Sequence, residues 1–235
     1  MHRRPILALS LAATVTLSSC SVVEDLTGPE PAPSASAEEL VLDPVPVGAD
    51  WESPDDQTLE DSVADHPEEG DATIEPEECA GAALVTADED GQRAEIAGRT
   101  GRTEDGTALP VLVVVKGGRS VEELREARED CLEMTVTAED HTSEQKEEVG
   151  DGPEIEGADD SFQLEGAYDT DPEGEANTLE RYGIVAEVRG VLVVVMANPD
   201  YENEDSLATF PINDATKKEV REIVAAQVDK IRAEN

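Results

Sequence analysis

Two short segments, residues 111–115 (VLVVV) and 191–196 (VLVVVM), are apolar at every position. Strands of this kind have no side to show to water, so both are expected in the centre of a sheet with side chains covered on both faces. Arg189-Gly190 stands immediately before the second run and immediately after Tyr182, Ile184, Ala186 and Val188, which recur at every second position. The dipeptide reads as a tight turn that joins two antiparallel strands into a hairpin. Leu132, Met134 and Val136 alternate with Glu133, Thr135 and Thr137, and Phe162 and Leu164 with Ser161, Gln163 and Glu165, as in half-buried strands. Residues 94–99 form a further strand candidate.

Two helices are legible. Ser120-Val121-Glu122-Glu123 fits a capping box, after which Leu124, Ala127 and Cys131 fall on one side of a helix ending near Cys131. A second helix starts after Asn213 or Asp214 and carries Val220, Ile223, Val224, Val228 and Ile231 as an apolar stripe. These elements predict an α+β domain: a single, largely antiparallel sheet of about five to seven strands with two main helices packed on one face.

A chain of 235 residues is long enough for one ordinary core. With 17 basic and 57 acidic residues its formal charge is −40, which repels nucleic acid and anionic membrane surfaces alike and argues against both as partners of the folded surface. The same charge favours a soluble, monomeric domain. No Lys or Arg occurs from Cys20 to Glu78. Residues 27–37 (TGPEPAPSASA) have nothing to pack and predict a disordered spacer, so that residues 20–37 form an acidic, Pro-Ser-Ala stalk and the domain spans residues 38–235. Within it, residues 53–78 return to acid-rich composition and are expected to be loosely ordered.

The first nineteen residues read as a signal peptide: Arg3 and Arg4, then a mostly apolar stretch over residues 5–17. As a helix that stretch reaches only about 20 Å, short of the roughly 30 Å hydrocarbon core. Leu17-Ser18-Ser19-Cys20 resembles a bacterial lipobox, which implies diacylglycerol on the Cys20 thiol and cleavage before it. Cys20 is therefore the expected lipid attachment site, placing the protein on the outer face of the bacterial plasma membrane. Two or three acyl chains, at about 0.8 kcal/mol per buried methylene, make such an anchor stable without help from the protein surface. The remaining Cys79 and Cys131 form an even pair in an oxidising compartment and predict a disulfide, the alternative being two buried free thiols.

The lipobox, the stalk, residues 76–82 (PEECAGA), Cys131 followed by Leu132-Glu133-Met134-Thr135-Val136, the Val-rich strand after Arg189-Gly190 and the terminal amphipathic helix together resemble uncharacterised actinobacterial lipoproteins. These are similar to the extracellular sensor domains of mycobacterial serine/threonine kinases of the PknH type. The resemblance implies one domain with a sheet, helices on one face and a cleft, in a family without known catalysis.

No Gly-x-Ser-x-Gly elbow, Walker loop, dinucleotide fingerprint or His-Glu-x-x-His sequence occurs, and His66 and His141 read as solvated surface residues. The chain is therefore not expected to be an enzyme. One acidic stretch is more specific: Asp169, Asp171, Glu173, Glu175 through its carbonyl, and Glu180 match the spacing of calcium ligands, with Gly174 at the sharp turn. Its flanks alternate like strands, and a solvated acidic hairpin loop is the competing and preferred reading. The expected role is that of a non-catalytic, membrane-anchored envelope protein whose domain binds a small ligand or an envelope partner in a sensor-like manner. The alternatives are a structural interaction protein that recruits basic partners electrostatically, and a calcium-binding envelope protein.

Overall fold

The structure, a computed structural model, describes residues 30–54, 73–77, 79, 94–137, 142–169, 178–199 and 212–234. Its nine strands among these residues are β1 (Ala49–Glu52), β2 (Thr73–Glu75), β3 (Glu95–Arg102), β4 (Ala108–Lys116), β5 (Glu133–Thr137), β6 (Thr142–Asp151), β7 (Asp160–Asp169), β8 (Thr178–Val188) and β9 (Val191–Pro199). They form one sheet in the order β1-β3-β4-β9-β8-β7-β6-β5-β2, every neighbouring pair antiparallel. Among the described residues three helices accompany it: α1 (Ala37–Leu40), α2 (Val121–Glu129) and α3 (Asp214–Ala233).

The two valine runs become the interiors of β4 and β9, which pair in continuous register from Ala108↔Pro199 to Lys116↔Val191. Arg189 and Gly190 adopt φ of 54° and 71°, the left-handed pair that a two-residue hairpin needs, and Val188 faces Val191 across it. Ser120 and Glu123 cap α2 reciprocally, and Asn213 caps α3 by accepting the Thr216 N–H at 2.9 Å.

The helices do not share a face. Leu112, Val114, Ile184, Val193 and Val195 pack with Val220, Ile223, Val224, Val228 and Ile231 of α3 in one core. Val113, Val115, Phe162, Leu164, Val185 and Val194 pack with Val121 and Leu124 of α2 in another. The expectation of both helices on one side is corrected: strands apolar at every position leave two uncovered faces, and each helix closes one. For the same reason β8 is buried through Tyr182–Ala186 on both faces instead of alternating.

The sheet is also larger than the expected five to seven strands. The short outer strands β1 and β2 carry almost no periodic signal, and β6 (TSEQKEEVGD) has Val149 as its one aliphatic side chain. Ser143 and Glu147 nevertheless face inward on β6. β5 lies one strand from the sheet edge, so Met134 and Val136 are only half-buried and Leu132, expected on the buried face, is 38% exposed.

Chain packing begins before residue 38. The compact unit starts at Pro31, and Pro33 and Ala37 are buried. The Arg189 Nε donates to the Pro31 carbonyl at 3.0 Å and Lys116 Nζ to that of Ala35 at 2.8 Å, while Ser36 caps α1 in a capping box with Glu39. The last part of the predicted stalk is thus a strap on the domain, bound through its backbone carbonyls rather than through side chains that composition could reveal. Cys20, most of the acidic 53–78 segment and His66 and His141 lie outside the described residues.

Candidate functional site

The calcium-like spacing falls on the β7–β8 hairpin. Asp169 closes β7 opposite Thr178, and Glu180 sits two residues into β8, whereas Asp171, Glu173 and Glu175 lie outside the described residues. The Glu180 carboxylate accepts the Ile212 N–H at 2.9 Å and so ties the hairpin to the segment entering α3. Among the described residues no group of three or more His, Cys, Asp or Glu side chains converges as a metal site.

Cys79 and Cys131 are joined in a disulfide with Cα atoms 5.5 Å apart, both buried beside Ile74. The bond pins the chain after β2 to the end of α2.

Next to α2, on the side of its Glu147-facing Arg128, lies a buried charge cluster. Glu147, with 2% of its side chain exposed, pairs with Arg128 at 3.2 Å and with Arg181, which also reaches Gln145. A carboxylate this deep requires paired cations, and its presence is the reason β6 can hold an inward position without an apolar residue there.

A second electrostatic cluster joins the β3–β4 turn to α3. Burial acts to raise Asp105, but hydrogen bonds from Thr107, Thr103 and Asn213 outweigh it and hold the carboxyl down at about 2. The Glu219 carboxyl is pushed up, first by burial and then by Glu104, Asp105 and Glu222, against the Glu104 N–H that it accepts at 3.2 Å.

Among the described residues, one open pocket is lined by a cation, carboxylates and apolar side chains together. About 350 Å³ in volume, it lies between Arg125 of α2 and the loop connecting β6 to β7, with Asp151, Glu154 and Asp160 at its rim and Pro153, Ile155 and Ala158 as apolar wall. This loop is held from several sides. Asp159 accepts the Arg189 N–H at 2.6 Å and donates its own N–H to Glu187 at 2.7 Å, and the Ser161 hydroxyl donates to the Pro153 carbonyl at 3.1 Å. Arg125 donates through Nη2 to the Ser161 carbonyl at 2.6 Å and to Asp160 at 3.4 Å, its guanidinium 5.7 Å from the Phe162 ring. Sequence reading missed this site because Arg125 and the loop are brought together only by the packing of α2 on the sheet.

The fold and this site define a small α+β domain: one antiparallel sheet, a helix on each face, a disulfide and a preformed polar pocket. The chain belongs to the family described as a domain of unknown function (DUF5642), whose pattern matches residues 62–232. Among solved structures, the chain is similar to an uncharacterised protein (Rv0999 ortholog) from Mycobacterium smegmatis, with 20% identity and a TM-score of 0.46, over 78% of this chain and 86% of that one. Membership of a family without an assigned function agrees with the uncharacterised character of the proteins that the sequence resembles, and none of these matches is to a PknH-type sensor domain. No curated protein matches the chain.

Proposed function

We propose that this chain is a lipid-anchored protein of the outer face of the bacterial plasma membrane, whose domain binds a small ligand or envelope partner in a non-catalytic, sensor-like role of the kind fulfilled by PknH-type sensor domains. The observation that carries the reading is Leu17-Ser18-Ser19-Cys20 behind a short apolar stretch with two arginines. The Cys79–Cys131 disulfide agrees with an oxidising compartment, and no helix among the described residues is long and apolar enough to cross a membrane. Detergent-phase partitioning of the protein from its host, lost in Cys20→Ser, is the expected result; unprocessed, reduced chain in the cytosol overturns the reading. Native mass spectrometry of the anchored protein, searching for a retained small molecule, tests its ligand-binding half.

A second reading is favoured by the charge of −40: recruitment of basic partners by the acidic surface without a shaped site. Partner affinity that collapses between low and physiological salt supports it, whereas affinity indifferent to salt supports a pocket.

A further inference from the structure

We infer that the pocket between α2 and the β6–β7 loop binds a small zwitterion, an amino acid or dipeptide presenting both a carboxylate and an ammonium. The inference deepens the ligand-binding half of the reading above and does not depend on the anchor. Its volume of about 350 Å³ stands at the small end of ligand pockets, which run from about 300 to 1,000 Å³.

Charge decides the ligand class. Arg125 spends Nη2 on the Ser161 carbonyl and Asp160 and its Nε is buried, but the side chain as a whole is 30% exposed at the pocket wall, so Nη1 is the donor a ligand oxygen can take. A guanidinium already oriented by two protein acceptors and by the Phe162 ring loses little freedom on taking a carboxylate. A simple anion, however, would also meet Asp151, Glu154 and Asp160 across the opening. A simple cation would use Asp151 and Glu154 and leave Nη1 of Arg125, whose Nη2 Asp160 already engages, without an acceptor. A molecule with both charges a few ångströms apart satisfies both edges, and Pro153, Ile155 and Ala158 offer its side chain a small aliphatic wall.

The pocket is preorganised. Gly157, at φ 88°, turns the loop against Arg232, and the Asp159 and Ser161 hydrogen bonds fasten the loop to the β8–β9 turn and to itself. Binding therefore need not order the loop, which favours a small ligand with few contacts.

The test is nuclear magnetic resonance of the full chain labelled at arginine and backbone nitrogen, titrated with L-alanyl-L-alanine, with its N-acetyl form and with its C-terminal amide. Expected are shifts at the Arg125 Nε–H and at amides of residues 152–161, with binding weakened about tenfold or more when either end is blocked. Arg125→Gln should abolish the shifts, and Glu154→Gln, an exposed rim change with no structural bond to lose, should weaken binding of the free dipeptide. No shift at tens of millimolar dipeptide, or equal binding of the blocked forms, overturns the inference, and either result leaves Cys20-dependent membrane retention as a separate question.

Discussion

Gln227 and Leu40 are joined across 187 residues of sequence: the Gln227 Nε2 donates to the Leu40 carbonyl at 2.8 Å, and its Oε1 accepts the Leu42 N–H at 2.9 Å. The amide of a wholly buried helix residue thus serves the N-terminal strap as a neighbouring strand would, taking one donor and one acceptor from alternate residues. Lys230 adds a third bond from α3, to the Val41 carbonyl at 2.6 Å.

Gln227→Ala leaves the Leu40 carbonyl and Leu42 N–H without partners in the interior. The expected cost is about 2–4 kcal/mol in urea unfolding, since each orphaned buried group costs about 1–3 kcal/mol. Hydrogen exchange should locate the loss at Leu42, with the centre of β4 and β9 far less affected.

Gly101 lies against the indole of Trp51, where a Cβ would stand 2.5 Å from a ring carbon. Gly101→Ala must therefore displace the ring or break its Nε1 hydrogen bond to the Val47 carbonyl. A cost of about 1–3 kcal/mol is expected for such overpacking. Trp51 is the sole tryptophan, so a red-shifted emission spectrum reports the displacement directly.

Removing the Glu147 carboxylate strands Arg128 and Arg181 with diminished compensation. Glu147→Gln should cost about 3 kcal/mol, in line with broken buried ion pairs. If chemical denaturation shows a change below about 0.5 kcal/mol, the size expected for an ordinary surface substitution, the cluster does not stabilise the sheet.

Glu219 has a carboxyl raised in the folded state, so at pH 7 its ionisation opposes folding. Stability contributed by its proton uptake appears as pH falls through the raised folded value and is complete below the unfolded one, near 4.3. Glu219→Gln keeps an oxygen for the Glu104 N–H and should raise the melting temperature at pH 7, the advantage fading by about pH 4. Asp105 has the opposite sign: its stabilisation is present above the unfolded value near 3.9 and is lost as pH falls towards its folded value of about 2. Asp105→Asn should accordingly destabilise at pH 7 and become neutral at about pH 2 by thermal denaturation.

Replacing Cys79 and Cys131 with serine opens a loop with a sequence separation of 52 residues. The chain-entropy relation gives a loss of about 4 kcal/mol, measurable as a lower urea midpoint. Linked tryptic peptides in unreduced material verify the bond, and separately alkylated peptides from native protein refute it.

How far sequence could be read depended on what each residue's burial requires locally. Val111 to Val115 and Val191 to Met196 announced central strands because an apolar side chain at every position leaves no solvent face. Arg189-Gly190 announced the hairpin because few turns join adjacent strands in two residues. β6 was illegible because its inward Glu147 is polar and becomes tolerable only when Arg128 and Arg181, remote in sequence, arrive beside it. The strap at residues 31–37 was illegible because its backbone, not its side chains, makes the bonds that hold it.

The sequence by itself determined the elements: the valine strands, the hairpin, both capped helices and a cysteine pair able to bond, since each follows from local periodicity, capping or count. Tertiary structure decided which face each helix covers, where the sheet ends, how the N-terminal strap docks and where Arg125 meets the β6–β7 loop. Periodicity states that a face must be covered but not by what, and a pocket exists only once distant segments have been packed against one another.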